Sequence, residues 1–366
     1  MPGVCVFEPE PLEAFCRGVL KSMGATPEVA REVAAHLITA NLSGHDSHGA
    51  MRLMQYVNQS DSGDIVPSAE PEVIHESGAV FVVDARRGFG HFATAFATDH
   101  GVEVARRNGV AAGVVRHATH IGRLGHYTER AAAQGCVSIV TVGVAGPGIG
   151  MVVPFGGVDR FLGTNPWSFG VPADGRPPLI FDAATSAVAE GKVRVARSKR
   201  AQVPAGAIVD ADGKPTTDPE KLYDGGGLLP VGGWAGHKGY GLSFASALIG
   251  GLAMIDDSEP TMGGASNLPP APGRTAGVFL VVIDPAHFGD AATYREMVTA
   301  TMNAIKDVRP QDGVERVLVP GEPEVLMRER RAQEGVGIPE QTRDELAEIG
   351  DSFGVELPEY RSDPVP

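Results

Sequence analysis

CVSIVTVGVAGPGIGMVVPF, residues 136–155, carries no charge over a length that could cross a bilayer, and membrane helix, dinucleotide fold and plain buried strand all compete for it. The membrane helix fails because Gly143, Gly146, Pro147, Gly148, Gly150 and Pro154 would break it. The Rossmann reading fails on spacing. Gly146, Gly148 and Gly150 put the third glycine one position too early for GxGxxG, and no GxxxxGK[ST] phosphate loop occurs anywhere in the chain. What remains is a buried strand over 137–144 that feeds a glycine-rich loop.

Outward from that strand, helices alternate with strands. Leu12, Phe15, Val19, Leu20 and Met23 recur at the helix period. Thr26 before Pro27 and Glu28 then announces a second helix that buries Val29, Val33, Leu37 and Ile38. A polar turn at 59–67, a strand at 80–83, a helix at 91–107 and an apolar strand at 110–115 lead back to the opening stretch. Beyond it we expect a strand at 179–182 and a helix at 186–196. A surface connection rich in Pro, Gly and Asp follows at 203–229. Another helix starts near Lys238 and runs to 252, followed by a loop at 256–274, a strand at 278–283, a helix at 292–305 and a short strand at 317–319. Thr342 with Glu345 reads as a capping box for a final helix. The pattern is that of a mixed α/β chain without repeats.

The 366 residues are enough for a large core, and a formal net charge of -14 argues against a nucleic-acid or anionic-membrane surface. A local cluster of arginine and lysine can still bind a small anion. Cys5, Cys16 and Cys136 are scattered without CxxC spacing, which fits a reducing compartment. Glu8 and Glu10 fall where a signal peptide would have its apolar run, so a cytoplasmic protein is expected.

Reactive groups gather first in Gly44-His45-Asp46-Ser47-His48-Gly49, followed by Arg52 and Tyr56. A helix capped by Asp46 or Ser47 would put His48, Arg52 and Tyr56 four residues apart on one face. That face combines a proton carrier, a fixed cation able to grip a carboxylate, and a phenol. A solvated polar helix face explains the same spacing. His45 with His48, and His117 with His120, form two HxxH pairs that would suit a zinc hydrolase, but HExxH is absent and Asp46 is the one carboxylate inside either pair. Asp182-Ala183-Ala184-Thr185-Ser186 stands at a strand-to-helix junction, as a phosphate site or an ordinary N-cap would. Lys238 lies between glycines in the run 236–241, where backbone approaches a ligand or forms a solvent turn.

These residues also carry a resemblance. GHDSHG with Arg52 and Tyr56, HIGRLGHY at 120–127, GTNPWSF at 163–169, DAATSAVAEGKVRVA at 182–196, PTTDP at 215–219, HKGYGL at 237–242 and PGEPE at 320–324 occur in order over nearly the whole chain. Together they resemble the malate/L-lactate dehydrogenase family, NAD(P)-dependent 2-hydroxy-acid oxidoreductases that lack a Rossmann fold. Within it, the hydroxycarboxylate dehydrogenase B branch shares GHDSHG, HIGR, the ATSA run and HKGY.

The resemblance implies an L-sulfolactate dehydrogenase-like α+β fold and a homodimer. It divides the chain into a helical part at 1–70, a substrate and dimerisation domain at 71–118 with 275–366, and a mostly antiparallel NAD(P)-binding domain at 119–274. It implies that His48 lies against the nicotinamide and exchanges the substrate proton, a role some members give to the histidine matched by His120. Gly122, Arg123, Leu124, Asp182, Ala183, Ala184, Thr185, Ser186, Lys238, Gly321, Glu322, Pro323 and Glu324 match dinucleotide contacts. Arg52 matches the malate, lactate and ureidoglycolate branches, where arginine holds the substrate carboxylate, and departs from hydroxycarboxylate dehydrogenase B. Tyr56 accompanies it as a substrate-side residue. The expected ligands are NAD or NADP and a small carboxylate, with no metal. Reduction of a cyclic imino acid (piperideine- or pyrroline-2-carboxylate), a metal-dependent hydrolase and an idle binding protein are the alternatives. For the cofactor, Arg194, Arg197, Lys199 and Arg200 form a basic cluster that suits either the 2'-phosphate of NADP or the solvated C-terminal end of a helix.

Overall fold

The computed structural model describes residues 3–198, 200–255, 261–263, 266–268 and 273–363. In it the opening stretch becomes the strand Val137–Ala145, inside a seven-stranded sheet. The strand order is Glu72–Ser77, Val80–Asp84, Val110–Arg116, Thr275–Ile283, Val137–Ala145, Trp167–Val171, Leu179–Ala183. Each neighbouring pair is antiparallel except Val80–Asp84 with Val110–Arg116. That parallel pair needs a long crossover, and the helix Gly90–Asn108 supplies it.

Thr275–Ile283 reads as one apolar run because both its faces are covered. Val278, Leu280 and Val282 join the core that includes Phe81, Val102 and Val115, whereas Gly277 on the other face meets the helix Gly236–Gly250. A Cβ on Gly277 would lie 2.3 Å from the Gly250 carbonyl oxygen, and one on Gly143 would lie 2.0 Å from that of Ser246. Strand alternation then turns Val142 and Val144, on either side of Gly143, into the functional cleft described below.

The N-terminal helices Pro9–Ser22 and Pro27–Leu42 form as the periodicity predicts, the second capped by Thr26. They share a core with the C-terminal helix Glu340–Phe353. Val4–Phe7 pairs with Val336–Pro339 on one side and Tyr360–Asp363 on the other, so the two ends of the chain close one small sheet. The large sheet takes strands from both sides of the divisions at 118/119 and 274/275.

Several expectations are corrected. No single helix starts at Asp46 or Ser47. Two 3-10 turns, Asp46–His48 and Ala50–Arg52, are separated by Gly49 with ψ of -156°, and the α-helix covers Leu53–Asp61. The helix at 186–196 starts later, as Glu190–Ser198, because Ser186 bridges Pro230 in a β-like contact. The 203–229 connection holds short strands Ile208–Val209, Pro215–Thr216 and Gly227–Leu228 around a turn of helix. Strands Thr261–Gly263 and Ser266–Leu268 pair within the segment read as loop; the rest of 256–272 lies outside the described residues. No strand forms at 317–319. The final helix starts at Glu340 behind Pro339, which puts Thr342 inside it and not at a capping box.

The helix-to-sheet contact around Gly143 gives a direct test. Gly143→Ala should destabilise the protein by about 1–3 kcal/mol, the usual cost of overpacking, read from the urea midpoint. Gly241→Ala lies on the same helix with open space around it and should be neutral or stabilise by up to about 1 kcal/mol.

Candidate active site

A cleft of ≈ 270 Å³ opens between the 46–52 turns, the 119–124 loop and the sheet, and its walls include His48, Arg52, His120, Gly122, Leu124, Val142, Val144 and Asn165. Its first wall is held by a carboxylate. Asp46 accepts from both Nη1 and Nη2 of Arg331 at 2.6 and 3.1 Å and from Asn41 Nδ2 at 2.8 Å, while Asn41 Oδ1 accepts from Ala50 N at 2.8 Å. Gly49 touches the same asparagine so closely that a Cβ would sit 2.2 Å from its Oδ1. These contacts dictate two tight turns in place of a helix and aim His48 and Arg52 at the cleft.

Arg52 Nε donates to the Ser47 carbonyl at 2.6 Å and Nη1 to Gln55 Oε1 at 2.7 Å. Among the described residues it forms no ion pair, so a buried guanidinium faces a cavity with its charge uncompensated. Burial depresses its pKa, as expected of such a cation.

The ring of His48 stacks on that of His120, with centroids 5.6 Å apart and planes at 20°. His48 Nδ1 lies 3.0 Å from Ser47 Oγ. Burial, reinforced by Arg52, holds the His48 pKa down at about 3. The same two causes hold His120 well below the usual imidazole range, and burial with the neighbouring His126 brings His91 to about 3. All are neutral imidazoles at neutral pH. Tyr56 corrects an expectation. It is fully buried behind His120, outside the cleft lining, and its hydroxyl lies 2.8 Å from His120 Nδ1 and 3.1 Å from His91 Nε2. The 3-10 turns advance by about three residues per turn, which breaks the four-residue phase that would have placed Tyr56 beside Arg52.

The second wall is built on a buried charge. Arg123 is 3% exposed; its Nη2 meets Glu129 at 2.8 Å and its Nε lies 3.8 Å from Asp182, which also accepts from Gly125 N at 2.7 Å. Burial pushes Glu129 upward, but Arg123 and Arg328 overcome it and leave its carboxyl below the ordinary range. Arg123 Nε and Nη1 make no hydrogen bond among the described residues. Gly122, with φ of 67°, packs its backbone where a Cβ would meet His36 Nε2 at 2.3 Å. Unsatisfied buried donors beside close-packed glycine backbone fit an anionic ligand such as a dinucleotide.

The other residues expected at a dinucleotide divide between places. Ala183 pairs with Trp167 in the sheet and Ala184 follows the strand. Thr185 Oγ1 donates to the carbonyls of Thr164 and Asn165 at 2.9 and 3.1 Å, which fixes the cleft floor, and Ser186 Oγ donates to Val188 O at 2.8 Å. Gly321, in the left-handed region at φ of 91°, and Glu322 line a separate groove of ≈ 430 Å³ with Arg176 and Lys306. Pro323 sits in the first turn of the helix Glu322–Glu334, and Glu324 Oε1 reaches His45 Nε2 at 3.4 Å. Lys238 is exposed on the first turn of its helix and is not a lining residue. In the basic cluster Arg197 pairs with Glu220 at 2.8 Å and Arg194 lies 3.9 Å from Glu190, while Lys199 lies outside the described residues.

The HxxH histidines do not converge. His45 turns to Glu324, His117 to Asp84 at 3.0 Å, and the other two stack, so among the described residues no group of three His, Cys, Asp or Glu side chains is arranged to hold a metal ion. Sequence reasoning missed Glu190, His36 and His91, and it quoted Asn165 without assigning it a role. Asn165, at φ of 37°, links Val144 to Ser243 through its side-chain amide, and the Asn-Pro dipeptide was its available signal.

A family model described as malate/L-lactate dehydrogenase matches residues 7–347. Hydroxycarboxylate dehydrogenase B of Escherichia coli strain K12 is 36% identical over 90% of this chain and 89% of its own. The structure of sulfolactate dehydrogenase from Methanocaldococcus jannaschii superposes with a TM-score of 0.85 at 31% identity, covering 97% of this chain and 99% of that one. That of delta1-piperideine-2-carboxylate reductase from Pseudomonas syringae pvar. tomato gives 0.79 at 33%, covering 94% and 99%. With a non-Rossmann, mostly antiparallel sheet and a cleft of histidines beside an unpaired arginine, the chain belongs to the malate/L-lactate dehydrogenase family and is a 2-hydroxy acid oxidoreductase.

Proposed function

We propose that Arg52 holds the carboxylate of a 2-oxo or 2-hydroxy acid in this cleft and that His120 exchanges the proton on its C2 oxygen. The observation that carries this reading is the juxtaposition of an uncompensated guanidinium with two stacked neutral imidazoles in one cavity. A nicotinamide cofactor, when bound, supplies or accepts the hydride at C2. Arg52 fixes the acid by two parallel hydrogen bonds and so orients C2. His120 donates to the developing alkoxide and takes the proton back in the reverse direction. His120 is favoured over its stacked neighbour because a further group orients it, Tyr56 at Nδ1, whereas His48 has the Ser47 hydroxyl. Val142, Val144, Ile149 and Val278 line the cleft with apolar surface that excludes water from the reacting atoms.

For the cofactor, His48, Gly122, Arg123, Leu124, Asp182–Ser186, Lys238 and Gly321–Glu324 are the proposed contacts. The ion pairs of Arg194 and Arg197 support reading their cluster as a helix end and so favour NAD over NADP. No helix among the described residues is long and apolar enough to cross a membrane. A homodimer is supported by exposed apolar side chains such as Trp234 and Phe288, and a cytoplasmic location by free buried cysteines. A second reading, reduction of a cyclic imino acid, is supported by the likeness to the piperideine carboxylate reductase. Arg52 would hold its carboxylate equally well. Oxidation of NADH and NADPH against a panel of 2-oxo and cyclic imino acids separates the two readings.

Arg52→Ala should lower kcat/KM by about 2–4 kcal/mol, with Arg52→Lys recovering part of the loss because lysine is a point donor. An unchanged specificity constant would place the carboxylate elsewhere. His120→Ala should cut kcat by roughly 100- to 10,000-fold, measured on protein whose circular dichroism matches wild type. Greater damage from His48→Ala would move the proton role to His48.

A further inference from the structure

Behind His120 runs a buried chain of rings with no evident part in substrate binding. Tyr56 bridges His120 Nδ1 at 2.8 Å and His91 Nε2 at 3.1 Å, and His91 stands edge-on to His36 with centroids 4.7 Å apart. His36 Nε2 lies 2.9 Å from the backbone N–H of Arg123. A backbone amide can only donate. His36 Nε2 therefore carries no proton, and the neutral ring keeps its proton on Nδ1. The nitrogens of this pair with no hydrogen-bond partner among the described residues are His36 Nδ1 and His91 Nδ1.

Tyr56 has one proton to give. Were it given to His91, the His91 proton would sit on Nδ1, and two N–H donors would be buried together without an acceptor. Given to His120, it leaves His91 Nε2–H donating to the phenol and His91 Nδ1 as an acceptor next to the donor on His36. The second arrangement avoids the unsatisfied donor pair, and unsatisfied buried donors are costly. It also leaves His120 Nδ1 bare and puts the His120 proton on Nε2, the nitrogen that Tyr56 does not occupy.

We propose that His91 and His36, acting through Tyr56, are positioning residues that fix the Nε2–H tautomer of His120, so that the nitrogen open to the ligand is the one bearing the proton. The inference rests on the reading of His120 as the proton carrier. Gly122 seals the chain from the cleft side, since a Cβ there would lie 2.3 Å from His36 Nε2 and 2.8 Å from His91 Cδ2. His126 flanks His36 from behind with centroids 4.3 Å apart, its own Nε2 3.1 Å from Glu32 Oε1.

The test reads the tautomer directly. With 15N-labelled histidine and no ligand added, His120 of the wild type should show the Nε2–H form at pH 7.5. His91→Phe keeps a ring but removes the donor to Tyr56. It should mix the His120 tautomers and lower kcat roughly 10- to 100-fold while KM stays within about 2-fold. His91→Gln, whose amide supplies an N–H, should recover most of that loss. A His91→Phe protein with wild-type tautomer and kcat would overturn the proposal. If that variant does not fold, Tyr56→Phe takes its place with the same expected mixing, and a single unchanged tautomer there would overturn it equally. Wild-type kcat in His120→Ala would sink the proton-carrier reading itself, whereas a slow His120→Ala beside a normal His91→Phe removes the positioning chain alone.

Discussion

The charge of Arg123, 3% exposed, has to be paired where water does not reach, and the walls of the cleft follow from how that is done. Glu129 and Asp182 bring the helix Gly125–Ala133 and the edge strand Leu179–Ala183 to the guanidinium. Arg328 shares Glu129 and so ties the C-terminal helix Glu322–Glu334 to the same point. The backbone N–H of Arg123 meanwhile binds His36 in the helix Pro27–Leu42. One residue thus joins segments from both ends of the chain and the sheet. Its remaining donors are left without acceptors, and that gives the site its affinity for an anion.

A second consequence concerns the histidines. Buried beside one another and beside a cation, His48, His91 and His120 cannot hold protons easily, which keeps them neutral as the acid-base role requires in the oxidising direction. The carboxylate of an acid substrate offsets one of the causes, the charge of Arg52. Substrate recognition and proton affinity are coupled through that one guanidinium.

Much of this was legible in the sequence, for identifiable reasons. Val137–Ala145 could be read because a run without charge, ended by glycines, has few other solutions. The first two helices could be read from their apolar stripes. Glu322–Glu334 could not, since none of its residues is fully buried and it opens with a glycine turn and a proline. Glu72–Ser77 is an exposed edge strand without apolar alternation. In the site, His48, Arg52 and His120 stood out as motif residues. Tyr56 was misplaced because helical phase was assumed across Gly49. His36 and His91 meet Tyr56 and Gly122 only through tertiary packing, which no local spacing encodes.

The central claim, a substrate carboxylate held by Arg52 next to imidazoles that the same cation keeps unprotonated, is tested most directly by calorimetric titration of oxamate, a non-reducible 2-oxo acid analogue, into the NADH-loaded protein. Titrations in buffers of different ionisation enthalpy report the protons exchanged. Because the free imidazoles lie below their ordinary pKa and a bound carboxylate raises them, binding should take up protons, more so as pH falls from about 7.5 towards 5.5, and Arg52→Ala should lose both the affinity and the uptake. Heats that do not depend on buffer, or wild-type affinity in Arg52→Ala, would contradict it.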